Sequence, residues 1–139
     1  MRHATLSVLL AAVAACAPHQ AIEITHAVVR PPIAGRDVAV AYFEIANHSD
    51  AAIELVNATS SAARTIEIHT HVHDGDMLRM RKLSSVAVDP GAQVSFAPGG
   101  HHLMLFGYRA DDADRITISM QFGNGRARSV EFAIESRAR

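Results

Sequence analysis

From residue 22 onward, apolar residues recur at every second position, in short runs broken by Gly, Pro, Asn and Asp. A period of two is the repeat of a half-buried strand, whose successive side chains point to opposite faces; an amphipathic helix would repeat every 3.6 residues. The runs predict strands at Ile22 to Val29, Val38 to Ala46, Ala52 to Ala58, Thr65 to Val72, Met77 to Leu83, Val86 to Val88, Gln93 to Phe96, His102 to Phe106, Ile116 to Phe122 and Ala127 to Ile134. The breaks carry turn chemistry: Pro31-Pro32 with Gly35, Asn47-His48-Ser49-Asp50, Asp89-Pro90-Gly91, Pro98-Gly99-Gly100 and Gly123-Asn124-Gly125. Asn124-Gly125 between two alternating runs predicts a hairpin. Only the region of Ser61, Ala62 and Ala63 leaves room for a helical turn. The pattern therefore predicts an all-β sandwich or barrel.

One run stands apart in "IEIHTHVHDGDMLRM", residues 66 to 80. On a strand, Ile66, Ile68 and Val72 take one face while Glu67, His69, His71 and His73 take the other. Closing a two-residue hairpin on Asp74-Gly75 sets His69 across from Met80, within the Cβ separation of about 5 Å at which opposed side chains interact. The same register puts Arg79 and Arg81 on the face of Ile66 and Ile68, which requires a bulge or an edge strand. Met77 is expected to pack in the core opposite Val72. In "PGGHHLMLFG", Leu103 and Leu105 share one face and His102, Met104 and Phe106 the other, with His101 opposite His102. Met120 alternates with Ile116 and Ile118 and reads as core.

The 139 residues suit one domain with a single core, and a net charge of −1 with scattered Lys and Arg leaves no basic stripe for a nucleic acid. The first twenty residues are set apart as an export signal: Arg2 opens them, and the apolar run Leu6 to Ala15 is too short to span a bilayer. Within it, Val13-Ala14-Ala15-Cys16 resembles the bacterial lipobox, which implies lipidation of Cys16 and membrane attachment; plain cleavage after a small residue is the alternative. Residues 21 to 139 then form the folded domain. Cys16 is the sole cysteine, so that domain holds neither a disulfide nor a Cys-x-x-Cys pair.

His69, Met80, His102 and Met104 offer two imidazoles and two thioethers without carboxylate or thiolate. Such a soft, neutral set suits Cu(I); Zn(II) would recruit Cys, Asp or Glu, and Ca or Mg would want oxygen. Their spacing, His69-x10-Met80-x21-His102-x-Met104, resembles the signature of the periplasmic PCu(A)C copper chaperones. "ITHAVVRPP" is similar to that family's opening strand and "AYFEIANHSD" to its second, although Val29 stands before Arg30 where the family often has Trp. The resemblance implies a cupredoxin-like Greek-key β-sandwich in the periplasm that is no enzyme. It implies that the four residues bind Cu(I) and that copper is delivered toward cytochrome c oxidase, with subunit II or another copper chaperone as recipient.

His71 and His73 lie outside the signature and are expected either to face water or to serve as accessory donors for Cu(II). Taken singly, each histidine and methionine reads as a half-exposed strand residue or gap filler. Two further readings stay open: a small copper or zinc enzyme with Glu67 or Asp76 as acid or base, and a metal-free assembly lipoprotein on the same sandwich.

Overall fold

The computed structural model describes residues 20–110 and 113–135. The expected export signal, with Cys16, lies outside the described residues. The described part of the chain is all β: β1 (Ile22–Arg30), β2 (Val38–Asn47), β3 (Ile53–Thr59), β4 (Thr65–Asp74), β5 (Met77–Leu83), β6 (Val86–Val88), β7 (Gln93–Phe96), β8 (His101–Phe106), β9 (Arg115–Phe122) and β10 (Ala127–Ile134). The expected strands are all present, with ends moved by one or two residues. The Ser61 region forms a tight turn closed by the Ala63 N–H donating to the Ser60 carbonyl at 3.3 Å.

The strands hydrogen-bond in the order β5-β4-β8-β7-β2-β1-β10-β9-β3-β6, with β8 also pairing β2. Most neighbours are antiparallel, but β1 meets β10 in parallel through Val28 with Ala133 and Val29 with Ile134. That short seam joins two largely antiparallel halves, the first with one further parallel contact, Phe96 of β7 with His101 of β8, and their apolar faces supply the core. Phe43 stacks on Phe96 with ring centroids 4.2 Å apart and meets Phe132 edge-on at 5.8 Å. Leu103, Leu105, Ile66, Ile68, Ile118 and Met120 fill the same interior. Asn47, fully buried at the end of β2, donates to the Ala51 and Val88 carbonyls while its own oxygen accepts from Ser49, so its polar atoms are paired.

The β4–β5 hairpin departs from the expected register. Asp74 pairs with Met77, so the loop is Gly75-Asp76 rather than Asp74-Gly75. Gly75 has φ 62°, and Asp76 shows no positive φ; left-handed backbone at the first loop residue alone is the type II′ pattern, which favours glycine in that place. Moving the loop by one residue moves the pairing by two: His71 faces Met80, and His69 faces Lys82. A shift of two preserves faces, so Arg79 and Arg81 stay on the side of Val72 and Thr70. They are accommodated because β5 is an edge strand that overhangs the core. Met77 accordingly pairs with Asp74 and is 56% exposed, not packed in the core.

The Asn124-Gly125 hairpin forms as expected between β9 and β10, with Gln121 opposite Ala127. Gly125, at φ 79°, donates its N–H to the Phe122 carbonyl.

Candidate metal centre

Three neighbouring strands, β8, β4 and β5, present one outward face. Leu103, Leu105, Ile66 and Ile68 hold the opposite face in the core, which fixes the alternate side chains outward. His69 pairs directly with His102, and Glu67 pairs with Met104. The imidazole rings of His69 and His102 are 6.0 Å apart between centroids, and those of His71 and His102 are 5.0 Å apart. Met80 lies across β4 from His71 and diagonal to His69. All four residues singled out by spacing thus share this face, and His71 stands among them.

Burial is graded across the site. His102 is 2% exposed although it points away from the core, because it lies beneath its histidine neighbours; Met80 on the edge strand is 48% exposed. The inner donor is dry, and the outer thioether faces solvent.

The hydrogen bonds select ring nitrogens. The Gly100 carbonyl lies 3.1 Å from His102 Nδ1 and also accepts the His71 backbone N–H. A carbonyl can only accept, so Nδ1 carries the proton and Nε2 keeps its lone pair. Glu67 lies 2.9 Å from His69 Nε2 and is itself held by Lys82 at 2.7 Å. The carboxylate therefore fixes the proton on His69 Nε2 and leaves Nδ1 as the donor atom. That Nδ1, like the Nδ1 of His71, is buried without a hydrogen-bond partner. A carboxylate behind a ligating imidazole is the usual way such rings are oriented.

The electrostatics favour neutral imidazole. Burial, with smaller contributions from His71, His69 and His101, lowers the pKa of His102 against the opposing pull of the Gly100 carbonyl. Bonds from Lys82 and then His69 lower the pKa of Glu67, which keeps it an anion able to accept. Among the described residues no three His, Cys, Asp or Glu side chains converge to hold a metal; the further donors on this face are thioethers.

His73 faces Leu78 near the hairpin turn, exposed and outside the cluster. His101 lies on the core side against Phe96, with ring centroids 5.6 Å apart. Two supports were not legible as such in the sequence. Glu67 shares the histidines' strand alternation, but its partner Lys82 emerges only from the β4–β5 register. The Gly100 carbonyl has no side-chain signal at all.

A family profile described as "Putative lipoprotein LpqE-like" matches residues 22–135. The chain belongs to the LpqE-like family. Among curated relatives, the LpqE-like chain is 25% identical to "Putative lipoprotein Lxx21020" of Leifsonia xyli subsp. xyli (strain CTCB07), over 97% of this chain and 89% of that protein. It is 27% identical to "Uncharacterized protein RP573" of Rickettsia prowazekii (strain Madrid E), over 67% of this chain and 53% of that protein. Among solved structures, the copper-bound PCuAC domain from PmoF2 superposes with a TM-score of 0.69 at 21% identity, covering 84% of this chain and 94% of that domain. The solution structure of CuI-DR1885 from Deinococcus radiodurans gives a TM-score of 0.65 at 22% identity, covering 89% of this chain and 83% of that one. The LpqE-like chain therefore has the β fold of PCuAC domains, the fold that the family resemblance implied.

Proposed function

We propose that this protein is a copper-binding chaperone that carries Cu(I) as cargo outside the cytoplasm, tethered to a membrane through Cys16. His69 Nδ1, His102 Nε2 and the sulfurs of Met80 and Met104 are the donors. The observation that carries the reading is the cross-strand pairing of His69 with His102, each with one nitrogen occupied by a fixed acceptor and the other left free. Imidazole with thioether suits Cu(I), and no donor needs to lose a proton for the metal to bind. Support comes from the lipoprotein description of the family and from the copper held by the similar PmoF2 and DR1885 domains.

Graded burial gives the direction of hand-over. An incoming donor first displaces the exposed Met80 sulfur, and the buried His102 leaves last. The recipient is a copper-accepting protein such as cytochrome c oxidase subunit II or another copper chaperone, and the compartment is the periplasm. Turnover is not part of this role: Glu67, with its lowered pKa and two partners, is suited to orienting His69 rather than to taking a proton.

His71 supports a second loading state. Its unpartnered Nδ1, its pairing with Met80 and its closeness to His102 make it an additional nitrogen donor for Cu(II). Anaerobic Cu(I) titration against a chromophoric chelator, with X-ray absorption on the loaded protein, tests the whole reading. Two sulfur and two nitrogen neighbours are expected, and Met80→Leu with Met104→Leu should weaken binding while the fold survives. Unchanged affinity in that double variant would remove the proposed donor set.

A further inference from the structure

A second polar cleft lies at the other end of these strands. It has a volume of about 400 Å³ and is lined by Asp37, Ser61, Arg64, Tyr108 and Arg109 together with Ala63 and Gly107. Thr65 and Phe106, which pair beside it, are four residues along β4 and β8 from His69 and His102. At about 3.3 Å per residue the two sites are ~13 Å apart.

The cleft is held in shape by backbone bonds. The Arg64 N–H donates to the Phe106 carbonyl at 2.9 Å, Tyr108 to Asp37 at 2.8 Å and Arg109 to Ala62 at 2.8 Å. Between them Gly107 adopts φ 62°, and Arg64 lies across it so closely that a Cβ there would come within 2.9 Å of the Arg64 Cβ. Both the left-handed backbone and the close approach call for glycine. Two arginines are thereby positioned around one concavity by rigid main chain.

Among the described residues nothing satisfies their charges. Arg30, Arg79 and Arg115 pair with Glu135, Asp74 and Glu131, and Arg128 bonds Gln20 and the Ile22 carbonyl. Neither Arg64 nor Arg109 has a carboxylate partner among the described residues, and Asp37 on the same rim pairs with neither. The Tyr108 hydroxyl is buried without a hydrogen-bond partner among the described residues. An unmet buried hydroxyl costs free energy that a ligand oxygen would recover.

We propose that this cleft binds a small oxyanion, a phosphate or phosphate monoester, with Arg64 and Arg109 supplying charge-assisted donors and Tyr108 a neutral one. Guanidinium groups match the oxygens of such anions. Burial raises the Tyr108 pKa, so the hydroxyl remains a donor at neutral pH. Removing Asp37 should strengthen binding, because its carboxylate opposes the anion.

The test is calorimetric titration of the purified protein at low salt with inorganic phosphate, and in a second arm co-sedimentation with vesicles containing phosphatidic acid. Amide chemical shifts of Tyr108 and Arg109 report the location. Arg64→Gln and Arg109→Gln should each weaken binding about tenfold, as loss of a charged hydrogen bond does, and Tyr108→Phe by less. Asp37→Asn should tighten it, and Arg81→Gln, which removes an arginine far from the cleft, should change nothing. Cu(I) affinity should be unaltered throughout. Saturable binding of free phosphate with this variant pattern identifies a soluble ligand; the same pattern with vesicles alone identifies a lipid headgroup. No saturable binding of either probe, or binding that survives loss of both cleft arginines, overturns the proposal.

Discussion

Replacing Glu67 with alanine separates what the outer carboxylate does for the metal from what it does for the fold. Glu67 occupies His69 Nε2 at 2.9 Å, and without it the ring is free to change tautomer and to rotate, so that Nδ1 is no longer held ready. Removing such an outer partner ordinarily costs 10- to 100-fold in metal affinity. The Glu67 side chain is 24% exposed, so water can replace part of its bond, and the loss is expected in the lower part of that range, about 10- to 30-fold. Fold stability should hardly change, because the carboxylate lies outside the core. Lys82→Met is the control: it removes the 2.7 Å bond from the lysine and leaves the bond to His69 in place. Cu(I) affinity would be measured anaerobically by chelator competition, with circular dichroism to verify folding. Unchanged affinity in a folded Glu67→Ala protein would refute the orienting role. An equal loss from Lys82→Met would transfer the effect to the charge of the Glu67–Lys82 pair.

Other parts of the structure give independent expectations. Leu103, fully buried on the face of β8 opposite the candidate metal site, should cost about 2–5 kcal/mol when cut to alanine, read as a lower urea midpoint with unchanged slope. Gly107→Ala must adopt φ 62° and press a methyl toward Arg64, so it should destabilise the fold by about 1–3 kcal/mol in the same assay. Burial raises the Tyr108 pKa above that of the unfolded chain, so above about pH 10 the unfolded state releases a proton that the folded state keeps. Stability is therefore full below that pH and falls as pH rises beyond it. The Tyr108→Phe protein should show a shallower alkaline decline in urea midpoint, and an identical decline would exclude this origin.

The strand pattern was legible because most core strands obey the same alternation, which bulges interrupt only in β1 between Thr25 and Val28 and in β3 between Leu55 and Asn57. Ile66 and Ile68, Leu103 and Leu105, and Ile118 and Met120 are inside because their neighbours two positions away are apolar too. What the alternation could not supply is pairing between strands distant in sequence. The parallel seam of β1 with β10 rests on four residues, and nothing local in "VV" or "AI" specifies it.

The candidate metal site shows the same division at finer scale. Sharing a face depends only on parity along each strand, and parity survives a register error of two. That is why His69, His102, Met104 and Met80 fall on one face although the hairpin closes one residue later than its Asp-Gly signal predicts. Which histidine faces Met80 depends on register itself, and there Gly75 decided: its left-handed backbone takes the first loop position, extends β4 to Asp74 and brings His71, not His69, opposite the methionine. His69 is instead defined by His102 beside it and Glu67 behind it. The consequence is that the histidine triplet is not uniform. His69 is oriented, His71 is half-buried near the site with its Nδ1 unpartnered among the described residues, and His73 is left in solvent, so Cu(II) binding should be impaired by His71→Ala and indifferent to His73→Ala. Equal Cu(II) affinity in both variants, measured by electron paramagnetic resonance titration, would count against any part for His71.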